Sequence, residues 1–263
     1  MINVIGLGYI GLPTALILAK SGKQVVGTDV KSDIIDSLRE KKVTFEEAGM
    51  TGLLEKALEN KIEFKTHPVE SSFYIITVPT PYDSVSKKLD CKYVEDATKS
   101  VLEFAEDDAI IVLESTVTPG AIDKYIRPII EDYIAKTGKK INLAHAPERV
   151  MPGNIIYEIE NNARTVGADS EEIALRVKEV YKSFCKSEIN LTDIKTAEMT
   201  KVVENTFRDV NIAFANELAK ICRQGGVDVN EVIRISNMYP RVNILSPGPG
   251  VGGHCISVDP WFL

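Results

Sequence analysis

Six residues near the N-terminus, Gly6-Leu7-Gly8-Tyr9-Ile10-Gly11, constrain this chain more than any other stretch. They follow an apolar run, Ile2–Ile5, and open a helical pattern over Thr14–Ser21. Glycine at these three spacings permits a tight strand-to-helix turn and close backbone approach of a ligand. It also leaves a helix N-terminus whose free N–H groups receive a phosphate. The pattern is short enough to arise by chance, and a glycine turn with no ligand is the competing reading. Its context favours a dinucleotide site. A second strand, Gln24–Asp29, ends in a carboxylate at the separation expected of one that accepts from a ribose 2′-hydroxyl. Asp29 repels a 2′-phosphate, so NAD is expected rather than NADP, although Lys31 nearby pulls the other way.

The pattern continues as an α/β fold: a Rossmann-like doubly wound sheet, then a long helix and a helical dimerisation segment. Further strands are expected at Phe73–Val78, Ala109–Glu114, Asn142–Ala146 and Glu188–Leu191, several apolar almost throughout, as strands covered on both faces are. Helices fit at Ser32–Glu40, Gly52–Glu59, Tyr93–Ala105, Ile122–Thr137 and Glu171–Ser183. From Ile194 to Gln224 no Pro or Gly intervenes, and Met199, Val203, Val210, Phe214, Leu218 and Ile221 recur at helical spacing. That stretch reads as one long helix terminated by Gly225-Gly226, followed by a short helix at Val229–Ser236. The expected domains are residues 1–193, binding the dinucleotide, and 194–263, a helical linker and dimerisation segment that ends in a cysteine-bearing glycine loop. Asp259-Pro260-Trp261-Phe262-Leu263 reads like the start of an element, so the chain is expected to be part of a longer protein.

Composition narrows the partners. With 44% hydrophobic and 26% charged residues in 263, the chain can bury a sizeable core and is not a disordered tract. A net charge of −7 argues against a nucleic-acid or anionic-membrane surface. The longest aliphatic runs, such as Ala109–Leu113, are far too short to span a bilayer, and the start has the form of no signal peptide. Cys91, Cys185, Cys222 and Cys255 lie far apart without metal-ligand spacing, so no metal is expected and unpaired thiols in the cytoplasm are.

Three residues carry a chemical signal of their own. Cys255 lies in Gly252-Gly253-His254-Cys255, where the glycines admit a substrate and an adjacent imidazole favours thiolate. A lone cysteine is more often an inert buried hydrophobe, which is the reading of the other three. Lys201 and Asn205 are four apart and share a helix face, a commonplace surface pair. In the context Thr196-Ala197-Glu198-x-x-Lys201-x-x-x-Asn205, opening a helix directly after a dinucleotide unit, they can polarise a hydroxyl or stabilise an oxyanion. His67 and His145 read as surface or structural.

Taken together these segments resemble the nucleotide-sugar 6-dehydrogenases, the UDP-glucose/UDP-N-acetylmannosamine 6-dehydrogenase family. The resemblance runs over the whole chain. It is carried by the glycine motif through Leu12-Pro13, Val78-Pro79-Thr80-Pro81, Glu114-Ser115-Thr116-Val117-Thr118-Pro119-Gly120, Ala146-Pro147-Glu148-Arg149, the Lys201/Asn205 helix and Gly252-Gly253-His254-Cys255. His254-Cys255-Ile256 with Val258-Asp259-Pro260-Trp261-Phe262 is similar to the branch acting on UDP-N-acetylhexosamines, above all UDP-N-acetylmannosamine.

The resemblance implies an NAD-dependent, two-step oxidation of the sugar C6 hydroxyl to a carboxylate, with surface polysaccharide precursors the usual destination. Cys255 would be the nucleophile, passing through a thiohemiacetal and a thioester. Lys201 and Asn205 would steady the oxyanion, Glu148 and Asp259 would serve thioester hydrolysis, and Thr116 would orient water or cofactor. Val78, Pro79, Thr80, Ser115 and Thr116 would line the cofactor together with Gly6, Gly8, Tyr9, Ile10, Gly11 and Asp29. Glu148, Arg149, Lys201, Asn205, Arg241, Gly252 and His254 would face the substrate, and the long helix would form a homodimer core. Members carry a further C-terminal UDP-binding domain for which this chain has no counterpart, so feeble or absent activity is expected of it alone. The alternatives are action on UDP-N-acetylglucosamine or UDP-glucose, a β-hydroxyacid dehydrogenase with the same Lys…Asn helix but no need of a cysteine, and a non-catalytic NAD-binding dimerisation module.

Overall fold

Alternation within the apolar strands decides how the core is divided. The computed structural model describes residues 1–83, 85, 88–253 and 256–263. It separates into two compact units, one holding residues 1–83 and 89–198 and the other the remainder.

The first unit is built on an eight-stranded sheet. Its strands are β1 Ile2–Ile5, β2 Val25–Thr28, β3 Glu63–Lys65, β4 Ser71–Ile76, β5 Ala105–Leu113, β6 Ile141–His145, β7 Arg164–Ala168 and β8 Ile189–Thr192, in the spatial order β8-β7-β6-β5-β4-β1-β2-β3. Every neighbouring pair is parallel except β6 with β7. Because side chains alternate across a strand, each central strand feeds two cores. Val4, Phe73, Ile75, Ile110 and Val112 enter one cluster, and Ile5, Tyr74, Ile76, Ile111 and Leu113 enter the other. The first is covered by α1 Gly11–Lys20, α3 Met50–Glu59, α6 Ile155–Asn161 and α7 Glu171–Tyr181, the second by α4 Lys92–Leu102 and α5 Arg127–Thr137. Helix α2, Ser32–Arg39, adds Ile35 and Leu38 to the first. Every residue of α1 except Lys20 is buried. Leu12, Leu16 and Leu18 there each contribute roughly 1.5–3 kcal/mol, so the turn before α1 is held firmly.

The second unit contains most of α8, Ile194–Gly225, then α9, Val229–Ser236, and a 3₁₀ turn at Asp259–Phe262. Gly226 ends α8 in the left-handed region at φ +66°. Amide side chains tie the following loop back to the helix. Asn211 donates to the Asn243 carbonyl (2.7 Å) and accepts from the Leu245 amide (3.0 Å), and Asn216 accepts from the Gly248 amide (2.8 Å).

Three local differences from the sequence reading have physical causes. The helix expected to run to Ala105 ends at Leu102, and Ala105 opens β5 instead, where Asp108 takes φ +60° and the pairing with β4 shifts register. The stretch expected as one helix over Ile122–Thr137 begins with a π turn at Ile122–Ile126. Strands β3 and β7 carry no apolar run, and β7 depends on Gly167: a Cβ there would lie 2.5 Å from the Asp193 carbonyl oxygen and 2.7 Å from the Ala197 methyl.

Candidate active site

The glycine turn is cut to fit its surroundings. Gly6 takes φ +91°, a conformation an L side chain resists. A Cβ on Gly11 would meet the Gly6 carbonyl oxygen at 1.8 Å and Thr77 Oγ1 at 2.2 Å, so only glycine lets α1 start against the turn. Gly8, by contrast, is exposed, and a Cβ on it would meet nothing within 4 Å. That open backbone at a helix N-terminus is where a pyrophosphate approaches closely. The Asp29 carboxylate accepts from the Leu7 amide (2.8 Å) and the Lys31 amide (3.0 Å), which braces the turn and leaves lone pairs for a ribose hydroxyl. Tyr9 lies beside Ile10 on the rim, its ring 4.8 Å from Phe45 and its hydroxyl donating to Glu47 (3.3 Å).

The segments after β4 and β5 are stitched together at the C-terminal edge of the sheet, where open α/β sheets bind ligands. Ser115 Oγ donates to the Val78 carbonyl (2.6 Å), and Thr80 Oγ1 donates to the Thr116 carbonyl (2.9 Å). Val78, Thr80, Ser115 and Thr116 are half-buried and Pro79 is exposed, so these residues meet along one edge of the first unit.

Behind that edge lies a buried charge cluster. Glu148, three residues past β6, pairs through Oε2 with Arg164 Nη2, and its Oε1 accepts from the Arg149 amide (2.7 Å). Arg164 Nη1 reaches Glu114 Oε1 (3.4 Å), which also accepts from the Tyr181 hydroxyl (2.6 Å). The guanidinium stacks over the rings of Tyr181 (4.6 Å) and Phe184 (5.2 Å). Burial raises the Glu114 carboxyl to about 7, against the pull of Arg164, and the charge of Glu148 pushes it the same way. Arg149 turns inward, donating to the Ala163 carbonyl (3.3 Å) and to Thr165 Oγ1 (2.9 Å).

In the second unit three expected residues come together. Asn205 Nδ2 donates to Asp259 Oδ2 (2.5 Å), and both residues are buried. Burial raises the Asp259 carboxyl above its ordinary value, while the Asn205 hydrogen bond and the charge of Lys201, one turn earlier on α8, work against that rise. A carboxylate made more basic and steadied by an amide is suited to accept a proton, and the ammonium beside it is suited to stabilise negative charge on a bound group. Arg241 and Gly252 are exposed in the same unit. His254 and Cys255 lie outside the described residues.

The match to known proteins extends over both units. Residues 1–185 match the NAD binding domain of the UDP-glucose/GDP-mannose dehydrogenase family, and residues 195–263 match its central domain.

The chain belongs to the UDP-glucose/GDP-mannose dehydrogenase family.

As a member it carries the family's NAD binding domain, and NAD is its cofactor. It is 48% identical over its whole length to the UDP-N-acetyl-D-mannosamine dehydrogenase of Methanococcus vannielii and covers 60% of that protein. It is 42% identical to the UDP-N-acetyl-D-mannosamine dehydrogenase of Escherichia coli K12, covering 64% of it. The structure of the UDP-D-ManNAc dehydrogenase from Pyrococcus horikoshii superposes with a TM-score of 0.93 at 42% identity, over 100% of this chain and 64% of that one. The chain thus spans about three-fifths of the length of these family members.

Sequence reasoning missed several supporting residues. Glu198 is buried on α8 and accepts from the Gly120 amide (2.6 Å) and the Ile122 amide (2.9 Å), anchoring the segment that follows Thr116. Its signal was present as a charged residue on the helix face one turn before Lys201. Arg164, Tyr181 and Glu47 carried no spacing signal, because their partners lie 16 to 108 residues away. Among the described residues no cluster suited to a metal ion occurs, and no helix is long and apolar enough to cross a membrane. Cys91, Cys185 and Cys222 are free and buried, and His145 is fully enclosed.

Proposed function

We propose that the protein to which this chain belongs oxidises the C6 hydroxyl of UDP-N-acetyl-D-mannosamine to the carboxylate in two NAD-dependent steps. The observation that carries this reading is the grouping of Lys201, Asn205 and Asp259: a cation, an amide and a basic carboxylate gathered on the family's central domain. The names of relatives 42–48% identical over the whole chain support the choice of sugar.

Bound NAD supplies the hydride acceptor in both oxidations. The chain's residues do the rest. Lys201 and Asn205 stabilise the alkoxide as the C6 hydroxyl loses its proton. The Cys255 thiolate adds to the aldehyde carbon, and the second oxidation leaves a thioester. Water attacks the thioester carbonyl, its proton passing to Glu148 or Asp259, and the thiolate departs. Thr116 orients the water or the cofactor, and Arg149, Arg241, Gly252 and His254 bound the substrate. The exposed α8 residues Val203, Phe207, Val210, Phe214 and Ile221 fit a homodimer core. The free thiols fit a reducing cytoplasm, where we place the protein.

The test counts NADH per sugar for UDP-N-acetylmannosamine, UDP-N-acetylglucosamine and UDP-glucose. It uses the chain alone and the chain fused to the C-terminal region of a relative. Two NADH per UDP-N-acetylmannosamine from the fusion are expected, with the chain alone binding NAD but turning over feebly. One NADH per sugar, or a Cys255→Ser variant that completes the oxidation, would overturn the thioester route and favour a β-hydroxyacid dehydrogenase. The cofactor half is tested by two alanines. Gly8→Ala keeps the parent's unfolding temperature but loses about tenfold or more in NAD affinity, a cost of about 1.4 kcal/mol or more. Gly11→Ala loses stability as well, because its methyl collides with backbone.

A further inference from the structure

The buried cluster under Glu148 is poorly designed as a source of stability. Arg164, Glu114 and Glu148 have side chains that are 3%, 0% and 4% exposed, so two acids share one guanidinium out of water. Arg164 Nε is buried without a partner among the described residues. Well-packed apolar side chains of similar volume commonly match or exceed such an arrangement in stability. The arrangement is, however, an effective way to immobilise one carboxylate. The Arg164 guanidinium lies against the rings of Tyr181 and Phe184, which meet edge to face, and its two terminal nitrogens are divided between the two acids. Glu148 has one oxygen on that guanidinium and the other on the Arg149 amide, so its rotamer is held at both ends. Each oxygen keeps a lone pair for a further donor.

We propose that Arg164 is the positioning residue of the site: it holds the Glu148 carboxylate in a single orientation at the C-terminal edge of the sheet. Glu114 and Tyr181 form its other wall. The titratable groups facing the guanidinium are Glu148 after β6, Glu114 after β5, Tyr181 on α7 and Cys185 beyond it. Glu114 tends to hold its proton, because burial and the charge of Glu148 outweigh the pull of Arg164 and of the Tyr181 hydrogen bond. Arg164 thereby serves Glu148 with most of its charge. This inference rests on the proposed role of Glu148 in thioester hydrolysis.

The test separates the two ideas. The chain itself is labelled at glutamate Cδ with ¹³C, and the Glu148 resonance is assigned by its loss in Glu148→Gln. In Arg164→Met that resonance broadens or splits as the carboxylate takes several orientations, and Arg164→Lys recovers part of the single sharp line, since a lysine keeps the charge but not the fork. Should the Met variant fail to fold, judged by NAD binding, the Lys variant decides alone with a resonance broader than the parent's. A Glu148 resonance as sharp in Arg164→Lys as in the parent overturns the proposal. Turnover of the fusion then reports on the underlying reading. Glu148→Gln with parental kcat would remove Glu148 from hydrolysis while leaving the resonance result to judge Arg164. With Glu148 confirmed, Arg164→Lys lowers kcat about tenfold, with the NAD KM within about twofold.

Discussion

Two buried acids, Glu148 in the first unit and Asp259 in the second, are held by opposite means. Glu148 is met by a full positive charge and a backbone amide. Asp259 is met by a neutral side-chain amide, with the Lys201 ammonium acting only through its field. A guanidinium favours the ionised form of its partner strongly and resists protonation, whereas an amide orients a carboxylate and leaves burial free to raise its basicity. The same functional group is therefore fixed in place by a charge and an amide in one unit and made more basic by burial in the other. That contrast depends on what surrounds each acid, and it can be attacked from either side.

The largest effect is expected from removing the cation. Arg164→Met strands Glu148 and Glu114 without a counter-charge and costs about 3–5 kcal/mol, read as a lower midpoint in urea unfolding followed by circular dichroism. A loss under about 1 kcal/mol would mean that water already reaches the cluster and that the contrast with Asp259 is false.

The next effect concerns how stability varies with pH. Burial raises Glu114 to about 7, so the folded chain keeps a proton that the unfolded chain releases above about 4.5. Its contribution is full below pH 4.5 and is lost as pH rises toward 7. Burial lowers His145 to about 4, so the folded chain refuses a proton that the unfolded chain accepts below about 6.5. That contribution is present above pH 6.5 and is lost as pH falls toward 4. Each amounts to on the order of 3 kcal/mol, and between pH 4.5 and 6.5 they oppose one another. Glu114→Gln leaves the histidine limb bare, so stability measured by chemical denaturation rises with pH across that window more steeply than in the parent. An unchanged slope would show that Glu114 is ionised in the folded chain throughout the window.

The smallest effect is expected at the amide. Asn205→Ala takes a donor from buried Asp259 at a cost of about 1–3 kcal/mol and moves its carboxyl further up. An aspartate ¹³C titration reads the shift. A downward movement would mean that Lys201 closes onto Asp259 when the amide is gone, making the two acids alike.

Much of this was legible in the residues. Short, almost wholly apolar strands alternating with helical stretches around the glycine turn announced the doubly wound sheet, because hydrophobic pattern and backbone sterics act within a few residues. The long α8 was equally plain, lacking Pro or Gly from Ile194 to Gln224. Strand β7 was not legible: Arg164-Thr165-Val166-Gly167-Ala168 looks polar and broken until Arg164 finds Glu148 and Gly167 finds Asp193. The Ala105–Asp108 start of β5 was hidden too, since its three acids carry no apolar run and Asp108 is held there by Lys140, Arg176 and Asn142.

The sequence by itself determined the fold class, the cofactor turn and the residue types of the site, because those follow from local sterics, hydrophobic period and the chemistry each side chain can do. Only the tertiary structure decided how the acids differ. That Glu148 faces an arginine 16 residues away and Asp259 an asparagine 54 residues away is a matter of which distant strands and helices pack together. Burial and neighbouring charge, which set the protonation of each acid, arise only when that packing is complete.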